Sequence, residues 1–326
     1  MLRRRHVIAG LAAAPLATAQ AQAPASSAGS WPGRPIRFIV PYPPGGPTDI
    51  MGRIAAQQIA PLLPQPVVVE NRAGAAGAIG SEAVARAVPD GTTFLVNASA
   101  HTIVPHLQRV PFDAVADFMP VTNIAAVPLM LVVTPSLPVR SVAELIAHAK
   151  ANPGRLSYAS SSTGGAPHLA GELFKLLAGV EMQHVPYRGS GQALPDLMAG
   201  TVQVMFDSMP SSAGAVREGR LRALAVTTAA RQSAFPELPT MAEAGVAGYE
   251  ISTWYGIWAP ARTPAAIVEA LQQAVARGLA TAEARERMAA LGAVPVADTP
   301  DHFAAFVRSE YDRWGRLVRD ARITAE

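Results

Sequence analysis

Pro41-Tyr42-Pro43-Pro44-Gly45-Gly46-Pro47-Thr48-Asp49-Ile50, the stretch PYPPGGPTDI, stands between the apolar run Ile36, Phe38, Ile39, Val40 and a long helical pattern. It reads as a strand, a tight loop and then a helix. Glycines and prolines leave a loop whose backbone N–H groups can turn outward, and Thr48 or Asp49 can cap the helix that follows. The first N–H groups of a helix lack internal partners and sit at the positive end of the macrodipole, so such a loop is suited to an anion. Whether it is a site depends on what the rest of the chain brings to it.

Working outward, the same grammar recurs. A helix is expected from Asp49 to Leu63 with Ile50, Ile54, Ile59 and Leu62 near one face. Pro66 to Glu70 is a second strand, Asn71 to Gly80 a glycine-rich turn opening a helix to Val88, and Thr92 to Val96 a third strand. Further on, strands are expected at Leu129 to Val133, Leu156 to Ala159, Met182 to Val185, Val202 to Phe206 and Leu221 to Val226. Helices are expected at Ser141 to Ala151, with Ser141 as cap and Glu144 at its third position, at His168 to Leu177 and at Gln192 to Met198. Ile251 to Pro260 is an extended aromatic run followed by helical segments at Ala265 to Ala280, Glu283 to Leu291 and Pro300 to Arg319. This alternation predicts an α/β protein with a largely parallel sheet covered by helices.

The N-terminus has its own pattern. Arg3-Arg4-Arg5, an apolar run from Val7 to Ala19 and small residues around Ala21-Gln22-Ala23 make residues 1–23 a cleavable signal peptide, of Sec or twin-arginine type. The run is shorter than the roughly 20 residues of a bilayer span. The chain holds 27 Lys plus Arg and 24 Asp plus Glu, so removing the three leading arginines leaves a neutral mature protein. No basic cluster interleaved with aromatics points to nucleic acid. With 0 cysteines, disulfides and thiolate metal sites are excluded, which suits an oxidising compartment.

Four loops, Pro43 to Asp49, Arg72 to Gly77, Ser160 to Pro167 and Tyr187 to Gly191, each follow a strand and precede a helix. If they converge, four helix N-termini meet at one volume, and a carboxylate can be held without lysine or metal. Candidate contacts on the first loops are Tyr42, Gly45, Gly46, Thr48 and Asp49, the last as a cap or brace. Gly74, Ala75, Ala76 and Gly77 are small either for close packing or to let amides reach a ligand. Ser99 follows the third strand and points either to a cleft floor or to the outside. On the later loops the candidates are Ser161, Ser162, Thr163 and Gly164, then His168 just inside a helix, then Tyr187, Arg188 and Gly189. Asp207 at a strand end takes an ammonium group or holds a turn.

Enzyme readings find little support. There is no G-x-S-x-G elbow, and Ser160 to Ser162 with His168 and Asp207 form a triad only by free choice. His101, His106, His148, His168, His184 and His302 do not pair at i, i+4, and the glycine-rich loops lack the P-loop lysine and the G-x-G-x-x-G pattern. No catalytic residue, cofactor or metal is expected.

PYPPGGPTDIMGR, ENRAGAAGAIGSEAVARAVPDGTTFLV, VPYRGSGQALPDLMAGTVQVMFDS and STWYGIWAPARTP resemble, in order and spacing, the segments of the Bug family, the periplasmic receptors of tripartite tricarboxylate transporters. The resemblance covers essentially the whole mature chain. It implies a fold like the type II periplasmic binding proteins, two α/β lobes around an interlobe cleft, with residues 24–131 plus 250–326 in one lobe and 132–249 in the other. Periodicity alone also allows two consecutive domains. The resemblance further implies a small organic acid or acidic amino acid as ligand, membrane permease subunits as partners, a monomer, and no catalysis. Presentation of the closed form to a sensor kinase is the alternative readout. The chain departs from the family pattern at two positions, where a glycine is expected near Ser162 and a Ser or Thr near Gly165, so the gripping hydroxyl is expected to have moved.

Overall fold

The computed structural model describes residues 31–320 and Ile323. Strands β1 (Ile36–Val40), β2 (Val67–Asn71) and β3 (Thr93–Ala98) form a parallel core in the order β2-β1-β3. Helix α1 (Pro47–Ile59) follows β1, α2 (Ala78–Ala85) follows β2, and α3 (Ala100–Leu107) follows β3. The second half is built the same way. Strands β5 (Ser157–Ser160), β6 (Gln183–Pro186) and β7 (Val204–Ser208) are parallel in the order β6-β5-β7, and lead into α5 (Ala166–Ala178), α6 (Ser190–Ala199) and α7 (Met209–Arg217).

The sheet is nevertheless mixed, contrary to the expectation of a largely parallel one. Two long strands make the antiparallel pairings: β4 (Phe118–Val133) and β9 (Ser252–Pro260), which pair antiparallel with each other along Phe118 to Pro128. On its far side β9 pairs antiparallel with β3. From Leu129 to Val133 the strand β4 leaves β9 and pairs antiparallel with β7 and with β8 (Arg222–Val226). Parallel neighbours need crossover helices, whereas these two strands pass directly between the two parallel cores and so enter each with opposite sense. A short β10 (Val294–Pro295) also pairs antiparallel with β4.

Both parallel cores are buried on two faces. In the first, Phe38, Val40, Phe94 and Val96 pack with Met51 and Ile54 of α1 and with Leu271 of α8 (Ala265–Leu279). The alternate residues Ile39 and Leu95 face Val84 of α2 and Phe303 of α10 (Pro300–Asp320). In the second, Leu129, Leu131 and Val133 face Leu145 of α4 (Val142–Ala151) and Phe174 of α5, while Met130 and Val132 face Leu197 of α6 and Met209 of α7. This period of two explains why the strands read as continuous apolar runs. Of the face predicted for α1, Ile54 and Ile59 are buried but Leu62, beyond the helix end, is 40% exposed.

Helix α10 puts Phe303 and Val307 into the first half, and its Trp314 belongs to the apolar cluster that runs from Ile103 of α3 to Leu129 and Phe174. Between them Glu310 accepts the indole N–H of Trp254 at 3.0 Å and of Trp314 at 2.9 Å. Trp314 is one turn further along the same helix, so this carboxylate ties α10 to β9 through Trp254.

Candidate functional site

The four loops singled out in the sequence lie around one cleft, with an inner compartment of about 300 Å³ and an outer one of about 590 Å³. Tyr42, Ser161, Ser162 and Arg188 line both.

The inner compartment is framed by helix starts. The N-cap residues of five helices line it: Gly46 of α1, Ser99 of α3, Gly165 of α5, Gly189 of α6 and Ser208 of α7. None of the five carries a side-chain cap. Elsewhere the chain does cap with side chains: Ser141 accepts the Glu144 N–H at the start of α4, and Thr281 accepts the Ala284 N–H at the start of α9 (Ala282–Ala290). A helix start that leaves its first amides without internal acceptors keeps donors available to whatever occupies the cavity. Gly189 has φ +142° and open space at its Cβ position, so a side chain there would be strained by the backbone although not by its neighbours.

The floor comes from the two long strands and their neighbours. Thr253 and Tyr255, two apart on β9, face the cavity. Thr253 Oγ1 lies 3.1 Å from Ser99 Oγ, and Tyr255 Oη lies 2.9 Å from Ser208 Oγ, so hydroxyls of β9 are tied to two of the N-cap serines. Burial pushes the Tyr255 phenol up, which keeps it neutral. Thr253, Tyr255, Ser208 and Gln192 are lining residues that the sequence reading missed. The signal available was the alternation within ISTWYGIWAP, which puts Thr253 and Tyr255 on one face.

The candidate residues sort by position. Gly46, Thr48, Ser99 and Gly189 line the inner compartment, with Tyr42, Ser161, Ser162 and Arg188. Gly74, Ala75, Ala76, Gly77, Thr163 and Tyr187 line the outer one. Residues 74–77 have four successive positive φ values, of which Ala75 at +47° and Ala76 at +53° are unusual for residues with a Cβ. The Tyr187 hydroxyl donates to Asp196 Oδ2 at 2.7 Å, so its ring rather than its oxygen is what it presents. The Tyr42 hydroxyl is buried and has no hydrogen-bond partner among the described residues.

Five candidates are not placed on the cleft, and each has another task. Gly45 is exposed and gives its N–H to Asp49 Oδ2 at 2.9 Å. Asp49 is the loop's brace: it also accepts from Arg53 Nε and from Asn71 Nδ2, whose amide in turn donates to the Tyr42 carbonyl. Burial pushes the Asp49 carboxyl up, but the bonds from Arg53, the Gly45 amide and Asn71 outweigh this and hold it below the usual carboxylate range. Gly164 donates its N–H to His168 Nδ1 at 3.2 Å and a Cβ at Gly164 would meet Leu107 at 2.7 Å, so both residues of this pair face the interior. His168 stacks on His184 with centroids 4.1 Å apart. Asp207 is fully buried and accepts the Ser190 hydroxyl at 2.6 Å, bracing the first turn of α6 from behind.

The structure pairs Ser160 with His184, not with His168 or Asp207. Ser160 Oγ lies 2.7 Å from His184 Nε2 and also donates to the Ser162 carbonyl at 3.2 Å. Ser160 is 0% exposed, so this serine–histidine pair presents no nucleophile to the cleft.

The two positions that depart from the expected pattern are neighbours in space. A Cβ placed on Gly165 would collide with Ser162 Oγ, and both residues line the inner compartment. Ser162 Oγ thus fills the space that a side chain at position 165 would enter. Gly165→Ser alone is expected to overpack the loop and cost about 1–3 kcal/mol of stability. The double change Ser162→Gly with Gly165→Ser is expected to recover most of that loss. Melting temperatures of the four members of the cycle measure it; equal losses in single and double variants would show the positions to be independent.

The match to the family model for the tripartite tricarboxylate transporter family receptor spans residues 51–323. The chain belongs to that family. Protein BugT of Bordetella pertussis is 41% identical to it over 308 residues, 94% of each chain. Among solved structures, R. palustris Rpa4515 with adipate superposes with a TM-score of 0.88 at 39% identity, covering 90% of this chain and 99% of that one. MatC from Rhodopseudomonas palustris with bound malate gives a TM-score of 0.84 at 31% identity, covering 88% and 100%. The two-lobed periplasmic-binding-protein fold expected from the sequence is the fold of this family receptor. Among the described residues, no helix is long and apolar enough to cross a membrane.

Proposed function

We propose that this receptor captures a small carboxylate-bearing metabolite in the cleft and hands it to the membrane permease subunits of a tripartite transporter. The convergence of five helix N-termini without side-chain caps on one cavity carries the reading. Each dipole contributes about 0.3–1 kcal/mol and each hydrogen bond to a charged group about 1.5–3 kcal/mol. A few such contacts, less desolvation and ordering, match the about 8 kcal/mol of a micromolar complex. The adipate and malate carried by the two solved relatives belong to the same chemical class.

The exported protein works as a monomer, without a chemical step, after its N-terminal signal is cleaved. Its lobes are residues 24–131 plus 250–326 and residues 132–249, moving about the two strands β4 and β9 that join them. Backbone donors suit that cycle, because each regains water when the lobes part. A thermal-shift screen of the mature protein against mono-, di- and tricarboxylates, neutral sugars and metal ions tests the proposal. Carboxylates are expected to raise the melting temperature by several degrees at millimolar concentration. A shift given only by sugars or metals would sink it.

A further inference from the structure

Behind the loop of residues 161–165 lie two stacked imidazoles, neither of which lines the cleft. His168 of α5 and His184 of β6 have ring centroids 4.1 Å apart and planes inclined by 15°. Each holds one side of the loop. The Gly164 N–H donates to His168 Nδ1 at 3.2 Å, while Ser160 Oγ, which donates to the Ser162 carbonyl at 3.2 Å, lies 2.7 Å from His184 Nε2. The loop they hold is part of the cleft wall: Ser161 and Ser162 line both compartments, Thr163 the outer, and Gly165, the N-cap of α5, the inner. A backbone amide only donates, so His168 Nδ1 is the acceptor and its imidazole is neutral, with the proton on Nε2.

A proton added at Nδ1 would set two N–H donors against each other and release Gly164. At neutral pH the surroundings keep that proton away. His168 is 3% exposed, and burial lowers its pKa. Burial, and then the neighbouring His168, bring His184 down to about 4, and two imidazoliums in one stack repel, so the pair takes up one proton at most. The other titratable groups facing the pair are Glu172 and Lys175, one and two turns further along α5, and Tyr158 of β5, whose ring stacks on His184. Glu172 Oε1 is already committed to Lys175 Nζ at 2.8 Å and to the Tyr158 hydroxyl at 2.6 Å, which blunts its pull on a proton.

We propose that this histidine pair positions the 161–165 loop for solute capture, and that the hold lasts only while His168 Nδ1 is free of a proton, so that capture weakens in acid. The inference rests on the carboxylate reading above and adds the residues that set one wall of the cleft from behind. His168 is a positioning residue, acting through the Gly164 amide. The bound form keeps the Gly164 bond, so binding in acid expels the proton, and affinity falls as the pH drops through the range in which the empty protein takes it up.

Proton–nitrogen correlation spectra of the histidine rings, taken on the mature protein without solute, read the tautomer: His168 is expected to carry its proton on Nε2 at pH 7.5. Calorimetric titration with adipate, malate and succinate at pH 7.5 and pH 4.5 then compares wild type, His168→Asn and His168→Leu. Asparagine puts an amide oxygen where Nδ1 stands and takes up no proton. At pH 7.5 His168→Asn is expected to bind within about threefold of wild type and His168→Leu about tenfold more weakly, the effect of one lost hydrogen bond. On going to pH 4.5, wild type is expected to lose about threefold more affinity than His168→Asn for the same acid, a comparison in which the titration of the solute itself cancels. Melting temperatures taken alongside show whether the variants are folded; should His168→Leu be unstable, the tautomer and the pH profile of His168→Asn still decide. A proton found on His168 Nδ1 at pH 7.5, or the same pH dependence in wild type and His168→Asn, would overturn the role of the pair while leaving the carboxylate reading intact. Failure of every acid to bind wild type at pH 7.5 would instead remove the underlying reading, and with it this one.

Discussion

Gly46→Leu is expected to weaken carboxylate binding by about a hundredfold or more while the melting temperature falls by only a few degrees. Gly46 is buried, yet a Cβ built on it meets nothing nearer than the Pro43 carbonyl at 3.7 Å. Open space beside a buried residue is internal space, and here it is the inner compartment, which Gly46 lines. Its φ of −78° and ψ of 166° are ordinary for any L-residue, so the backbone itself does not resist the change. What is lost is the N-cap preference for glycine over a branched apolar residue, about 1 kcal/mol or less. A leucyl side chain would occupy the volume where the solute's carboxylate meets the start of α1, and would block the amides that hold it. Gly45→Leu supplies the contrast. At φ +79° the left-handed backbone costs about 1–2 kcal/mol in stability for a residue with a Cβ, but Gly45 is exposed and lies off the cavity. Titration and melting of the two variants should therefore separate: affinity lost in the first, stability lost in the second. A Gly46→Leu protein that binds like wild type would remove this loop from the site.

That pair also shows how much the sequence made legible. Glycine and proline mark where strand gives way to helix, so the four loops and the order of most elements could be read directly. Which side of a loop meets the cleft could not, because Gly45 and Gly46 differ in nothing but their place in the turn. The same limit applies to Asp207 and His168, whose positions near the ends of strand and loop look like those of contacts until packing turns them inward. Helix α3 escaped notice because Pro105 sits inside it, and α7 because Met209-Pro210-Ser211-Ser212 has the composition of a turn. With them went Ser208, and with the unread first half of β4, interrupted by Pro120 and Pro128, went the antiparallel spine that makes the sheet mixed. Residues set by long-range pairing, such as Thr253 opposite Ser99, carry only the faint period-two signal of their own strand.

Asp207 gives the second large effect, this time on pH dependence. It is fully buried, with one oxygen bonded to Ser190 and the other, Oδ2, without a partner among the described residues. Burial pushes its carboxyl up to about 7 from the ordinary 3.8, against the opposing pull of the Ser190 hydrogen bond. Between these values the folded protein keeps a proton that the unfolded chain has released. Stability is then full below about pH 4 and declines as the pH rises to about 7, by up to about 4 kcal/mol for a shift of this size. Buried histidines act in the opposite sense. Burial lowers His101 and His184 to about 4 each, so the unfolded chain binds their protons first and stability rises with pH over much of the same range. Wild type is thus expected to show a nearly level profile built from opposing slopes. Asp207→Asn keeps an acceptor for Ser190 and cannot ionise, so it exposes the histidine slope alone. Its melting temperature should fall below or match that of wild type at pH 4.5 and exceed it by several degrees at pH 8.5. Parallel profiles for the two proteins across that range would mean that Asp207 ionises in the fold at no cost, and that some group outside the hydrogen bonds named here stabilises its charge.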